Sequence, residues 1–113
     1  MTGLFTMRKH DEGAGVVRIL VGGEVDSDAS AALGLFIANA TEQHGVRALI
    51  VDLERVPLLT AAGIRSLLTG HEAAARVGCS YQLVNIREGV MDVLQAAGVE
   101  GLLLAGRDAS VPR

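Results

Sequence analysis

The chain has no tryptophan and only three other aromatic residues, Phe5, Phe36 and Tyr81. A surface built to stack bases or sugar rings draws on more of them, so such ligands are disfavoured. Cysteine occurs once, at Cys79, which excludes an internal disulfide and any multi-cysteine metal site. A free cysteine is among the most buried residue types, and Cys79 is read as a structural thiol. Positive charge is also scarce. Ten Lys and Arg stand against 13 Asp and Glu, a formal net charge of -3, and no Lys/Arg run occurs. A nucleic-acid binder normally shows a basic face or stripe, so that class is set aside. Apolar runs are brief: stretches such as Val56 to Leu59 fall far below the ~18 residues that cross a bilayer. Met1-Thr2-Gly3-Leu4 lacks the basic-then-apolar order of a secretory signal. The expectation is a soluble, cytoplasmic protein that uses neither membrane nor nucleic acid.

Reactive motifs are missing as well. His10, His44 and His71 fall in different predicted elements with no H-x-x-x-H spacing and no neighbouring cysteine, so neither a metal nor a cofactor is expected. His71 reads as a partly buried structural imidazole, since no nucleophile accompanies it. The glycines of Gly13-Ala14-Gly15 and Gly22-Gly23 fit no phosphate-cradling pattern and read as turn glycines. No Ser or Cys occupies a glycine-flanked sharp turn. No catalytic residue emerges, and the expectation is a protein that is not an enzyme.

What is present is a regular alternation of strand and helix signals. With 113 residues, half of them apolar, one domain can bury one core. That core is expected over about residues 4–104, with 105–113 as a mobile tail. Leu4–Lys9, a turn at His10–Gly15 and Val16–Val21 predict a hairpin. A helix capped by Asp26 or Ser27 follows, with Leu33, Phe36, Ile37 and Ala40 on one face and an end near His44-Gly45. Val46–Leu53 predicts a central strand covered on both faces. The second helix runs from Ile64 to about Val77, with Ile64, Leu67, Leu68, His71, Ala74 and Ala75 on its inner side. Ser80–Asn85 predicts a third internal strand, Val90, Val93, Leu94 and Ala97 a last helix, and Leu102–Leu104 a short edge strand. The order β-β-α-β-α-β-α-β is α/β, a mixed sheet of about five strands with amphipathic helices, and the helix-sized connections imply parallel pairing of the later strands.

The pivot of this pattern is Val56-Pro57-Leu58-Leu59-Thr60-Ala61-Ala62-Gly63-Ile64, which joins the central strand to the second helix. Ligands and partners of α/β proteins are met at the carboxyl ends of strands. The first-turn amides of a helix have no intrahelical partner and point outward with partial positive charge. Glu24 and Asp26, before the first helix, serve either as capping and solvated carboxylates or as partner contacts.

Gly23-Glu24-Val25-Asp26, the strand Leu49–Leu53 and Leu59-Thr60-Ala61-Ala62-Gly63-Ile64 resemble the STAS domain of anti-sigma-factor antagonists. Gly98–Leu102 resembles that family's closing segment, and the likeness extends over roughly Val16–Leu104. The resemblance implies a STAS-like fold and a regulator, monomer or weak dimer, that binds a GHKL-type serine kinase acting as anti-sigma factor. It places the partner-binding surface on Glu24, Asp26, Ser27, Thr60, Ala61, Ala62, Gly63 and Arg65. In that family the loop usually reads Asp-Ser-Ser-Gly or Asp-Ser-Thr-Gly, with a hydroxyl that the kinase phosphorylates. Here Thr60 stands in the Asp position, and Ala61 and Ala62 replace the hydroxyl residues. Thr60 then has two readings: an N-cap bonded to the amide of Ala62 or Gly63, or a phosphoacceptor displaced along the loop. Capping is preferred because threonine is a good N-cap. A competing reading is a STAS module that binds a nucleotide or lipid, or that acts as a scaffold in a larger assembly.

Overall fold

The computed structural model describes residues 4–99 and 101. Its elements are β1 (Thr6–Gly13), β2 (Val16–Gly22), α1 (Ser27–Thr41), β3 (Ala48–Arg55), α2 (Ala61–Arg76), β4 (Ser80–Val84) and α3 (Glu88–Ala96). The four strands form one sheet in the order β1-β2-β3-β4. β1 and β2 are antiparallel, whereas β2 with β3 and β3 with β4 are parallel, as the helix-sized connections require. The α/β class and the mixed sheet follow the sequence pattern. The fifth strand expected at Leu102–Leu104 lies outside the described residues.

The hairpin is tighter than its sequence suggests. His10, Asp11 and Glu12 belong to β1, with Lys9 opposite Ile19 and His10 opposite Arg18. Their polarity reflects a strand at the sheet edge with little to bury, and it imitates a turn. The turn itself is Gly13-Ala14-Gly15, all three at positive φ of 90°, 57° and 82°. Two glycines make that run of left-handed residues inexpensive, and the Gly15 carbonyl accepts the amides of Arg47 and Ala48 at 2.7 and 3.2 Å.

The central strand starts two residues later than expected and extends to Arg55. Val46 donates instead to Gln43 O at 3.3 Å, closing the turn after α1, while Gly23 donates to Arg55 O at 2.9 Å and prolongs the pairing with β2. Leu49, Val51 and Leu53 are fully buried, but on the opposite face Ala48 and Ile50 are only half-buried, so complete covering of both faces does not hold. β4, expected inside the sheet, is its last strand among the described residues and stops at Val84. Asn85 has left the strand at φ 56°, its amide donating to Asp52 Oδ2 at 3.1 Å.

α1 buries Leu33, Ile37 and Ala40 as its 3.6-residue spacing dictates, with Phe36 half-buried. It ends at Thr41, short of His44-Gly45, with Glu42 as C-cap. α2 buries more than its expected stripe. Ile64, Leu67 and Ala74 are buried, Leu68 and His71 are half-buried and Ala75 is exposed, whereas Gly63, Ser66, Gly70 and Ala73 form a second buried row. That row exists because α2 packs against α1 as well as against the sheet. A Cβ at Gly34 would lie 3.7 Å from Ser66 Cβ, and one at Gly70 would lie 2.5 Å from Ile37 Cγ2. Small residues let the two helices approach closely, a need that a search for large apolar side chains overlooks. In α3, Val90 and Leu94 are buried, Val93 is half-buried, and Ala97 lies exposed past the helix end.

The buried apolar side chains of sheet and helices form one core, with Ile19, Leu33, Ile37, Leu49, Leu53, Leu67 and Leu94 at its centre. Cys79 belongs to it, and burial pushes its thiol up from its ordinary pKa. The alternate positions of the sheet carry a polar network. Asp52, 7 % exposed, accepts Arg18 Nη1 at 2.8 Å, and the same guanidinium reaches Glu12 Oε2 through Nε at 3.1 Å. Asp52 Oδ1 also accepts the Glu54 amide at 3.0 Å, so both carboxylate oxygens are satisfied.

Candidate functional site

The two parallel strands β2 and β3 deliver their following helices side by side. Just past them, Val25 and Leu59 form an isolated parallel bridge, and both are buried. The next residue on each chain is an N-cap in extended conformation: Asp26 for α1 and Thr60 for α2. Asp26 Oδ1 accepts the Ala29 amide at 2.9 Å, and Thr60 Oγ1 accepts the Gly63 amide at 3.2 Å, each three residues on. The two helix mouths are therefore copies of one arrangement. In both, the first two amides, Ser27 and Asp28 in α1 and Ala61 and Ala62 in α2, have no hydrogen-bond partner among the described residues.

Thr60 does more than cap. Its hydroxyl donates to Val25 O at 2.7 Å while its oxygen accepts from Gly63, so one side chain ties the mouth of α2 to the mouth of α1. Thr60 thus caps α2 through the Gly63 amide, with the Ala62 amide left open. Gly63 is buried, and a Cβ there would sit 2.7 Å from Leu59 Cδ1 and 3.1 Å from Val25 Cγ1. Asp26 resolves in the same direction: it, and not Ser27, is the cap of α1.

The structure brings the eight sequence-derived residues into one region, but with unequal access. Asp26, Ser27, Ala61 and Arg65 are exposed, Glu24, Thr60 and Ala62 are half-buried, and Gly63 is closed off. What faces solvent is a pair of helix entrances with two open amides each, the carboxylates of Asp26 and Asp28, the free Ser27 hydroxyl, the Ala61 methyl group and the Arg65 guanidinium. Two features escaped the sequence reading. Leu58, in the loop before Thr60, is 50 % exposed and adds an apolar projection beside Ala61. A groove of about 300 Å³ also runs between α1 and α2 and ends at Ala62 and Arg65, with Leu35, 67 % exposed, on its rim. The signal for it was the run of Ala, Ser and Gly on both helices, which only their mutual packing makes meaningful.

Among the described residues no group of three or more His, Cys, Asp or Glu could hold a metal ion, and no helix is long and apolar enough to cross a membrane. The fold is shared with a structure of the anti-sigma factor antagonist SpoIIAA in its unphosphorylated form, at a TM-score of 0.75 and 21% identity, over 96% of this chain and 100% of that one. An anti-sigma factor antagonist from Mycobacterium paratuberculosis is similar at a TM-score of 0.76 and 22% identity, covering 88% of this chain and 83% of that one. A sulfate transporter family protein from Wolinella succinogenes matches at 0.73 and 19% identity, over 84% and 76% of the two chains. No curated protein gives a significant match. The family model described as "Mlab, STAS domain" matches residues 8–105, a span that holds the hairpin, both helix mouths and the loop between β3 and α2, and the chain belongs to the STAS domain family.

Proposed function

We propose that this STAS domain is a non-catalytic regulator that binds an anti-sigma factor of the GHKL kinase type through the paired mouths of α1 and α2. The observation that carries the reading is the engagement of Thr60. Its hydroxyl donates at 2.7 Å to a main-chain carbonyl and accepts at 3.2 Å from a helix amide, so the loop presents no free hydroxyl to act as nucleophile or acceptor. A surface with open amides, an exposed carboxylate at Asp26, a cation at Arg65 and apolar groups at Leu58 and Ala61 suits recognition of a protein. Similarity to anti-sigma factor antagonists supports this class of partner. The loop between β3 and α2 keeps one charge state at Ala61 and Ala62, because a phosphate would add roughly -1.5 to -2 charge and an alanine methyl cannot accept it. Control then falls to abundance, to competition or to modification elsewhere.

The test is calorimetric titration of the full chain with GHKL-type kinase domains, followed by intact-mass measurement after incubation with the binding kinase and ATP. Binding with no mass gain is expected. Failure of every such kinase to bind at micromolar concentration removes the reading, and a phosphate mapped to Thr60 removes the single-state account of the loop. Thermal shift with nucleotides and fatty acids probes the competing small-ligand reading: a ligand at 100 times its Kd would stabilise by about 2.7 kcal/mol.

A further inference from the structure

We infer that the groove between α1 and α2 receives a helix of the protein partner, one that carries a bulky apolar side chain and, near it, an Asp or Glu that pairs with Arg65. The inference rests on the partner-binding reading above and adds the shape and chemistry of what is bound. The walls are main chain and methyl groups of two α-helices. Ala31, Gly34 and Ala38 line the α1 side, and Ala62 and Thr69 line the α2 side. Helical main chain has its amides and carbonyls committed along the helix. Three hydroxyls line the groove: Ser30 donates to Ser27 O at 2.9 Å and Ser66 donates to Gly63 O at 2.7 Å, while the exposed Thr69 hydroxyl makes no hydrogen bond among the described residues. Both serines are more than nine-tenths buried, and no buried side-chain nitrogen or oxygen among the described residues lacks a hydrogen-bond partner.

Apart from the Thr69 hydroxyl and the Arg65 guanidinium, such a groove has little to offer an incoming main chain. An extended peptide laid in it would lose water from amides and carbonyls without replacement, a penalty of about 1–3 kcal/mol for each group left unpaired. A helix brings its own hydrogen bonds and presents only side chains. The small residues let a helix approach closely, and from Ser30 to Ala38 the groove is about 12 Å long, roughly two turns. Its volume of about 300 Å³ is enough for large apolar side chains, and the exposed Leu35 gives them a rim to pack against. Arg65 is the one charged residue lining it and makes no ion pair or side-chain hydrogen bond among the described residues. The complementary charge is a carboxylate, and a chain with net charge of -3 gains selectivity by displaying a cation at this point.

The experiment uses the full chain and a GHKL-type kinase domain that binds it in the titration above. Ala31→Trp fills the groove from an exposed position, and Ala75→Trp, exposed on α2 away from the groove, is the control. Ala31→Trp should weaken binding by about tenfold or more with an unchanged melting temperature, and Ala75→Trp should leave binding as it was. Arg65→Glu should weaken binding and be rescued by Lys in place of one acidic residue of the partner's helix. A benzophenone at position 35 should crosslink to one helical segment of the kinase containing that acidic residue. If the kinase binds wild type and Ala31→Trp equally, or the crosslink falls in an extended or loop segment, the groove is not the dock, while the helix-mouth reading stands. If no kinase binds wild type, both fall. Displacement of the kinase by decanoate, lost in Ala31→Trp, would make the occupant a fatty acyl chain and overturn the inference.

Discussion

Thr60 is the residue on which the two helix mouths depend. Thr60→Ala removes an N-cap, worth about 1 kcal/mol, and also strips Val25 O of its 2.7 Å partner, an unpaired buried carbonyl costing about 1–3 kcal/mol more. Urea denaturation should place Thr60→Ala about 2–4 kcal/mol below wild type, with Thr60→Ser close to wild type because it keeps both bonds. Asp26 needs a subtler substitution, since it caps α1 through Ala29 as well as offering its charge. Charge reversal to Lys would lose the cap and the charge together, so a fall in binding could not be assigned. Asp26→Asn keeps a capping oxygen and removes only the charge. It should weaken kinase binding about threefold to tenfold, as for an exposed interface charge, with little change in stability. Tyr81 supplies a pH signature. It is buried, donates to Leu67 O at 2.9 Å, and burial pushes its pKa far above the ordinary value of 10.0. The folded state keeps this proton where the unfolded chain releases it, so stability from this group is full below about pH 10 and declines as pH rises further. Thermal melts from pH 8 to 11 should show that decline, and Tyr81→Phe should flatten it.

At the level of elements, the positions that matter most for joining α1 to α2 are those with least side chain. Gly70→Ala would gain about 1 kcal/mol of helix propensity, yet its methyl would sit 2.5 Å from Ile37 Cγ2 and 3.0 Å from the Tyr81 hydroxyl. Overpacking of this kind costs about 1–3 kcal/mol. The net expectation is a protein destabilised by about 1 kcal/mol, read from the shift in urea midpoint. Gly34→Ala, with its nearest contact at an ordinary 3.7 Å, should instead be neutral or stabilising. The sequence made the helices legible through Leu33, Ile37, Leu67, Val90 and Leu94, whose spacing is a direct projection of the core. It did not make legible the Ser66-Gly70-Ala73 row, because small residues carry little hydrophobic signal and acquire meaning only from the facing helix. The hairpin differs from the sequence pattern for a related reason: His10–Glu12 look like turn residues, and only the pairing of His10 with Arg18 and Asp11 with Val17, with Glu12 at a register shift, makes them strand.

For the molecule as a whole, the sheet divides two kinds of cohesion. One face supplies Ile19, Leu49 and Leu53 to a core shared with all three helices. The other is crossed by Glu12, Arg18 and Asp52, with Asn85 joining from beyond β4. Asp52→Ala would leave the half-buried Arg18 with only Glu12 and would release Asn85 from its restraint at φ 56°. A loss of about 2–3 kcal/mol is expected, below the 3–5 kcal/mol of a fully buried pair because Arg18 keeps some solvent and one partner. Urea denaturation would measure it. This network was invisible in the sequence, since Arg18, Asp52 and Asn85 are brought together only by parallel pairing across more than 30 positions.

The tether from Thr60 to Val25 also has a kinetic consequence. That hydroxyl bond fixes the cap of α2 to Val25, the residue just before the cap of α1, so displacing either segment costs the other an anchor. The protected amides of Ala29 and Gly63 should therefore exchange with deuterium through one common opening event, so that a visitor to either mouth meets a surface that is closed or open as a unit.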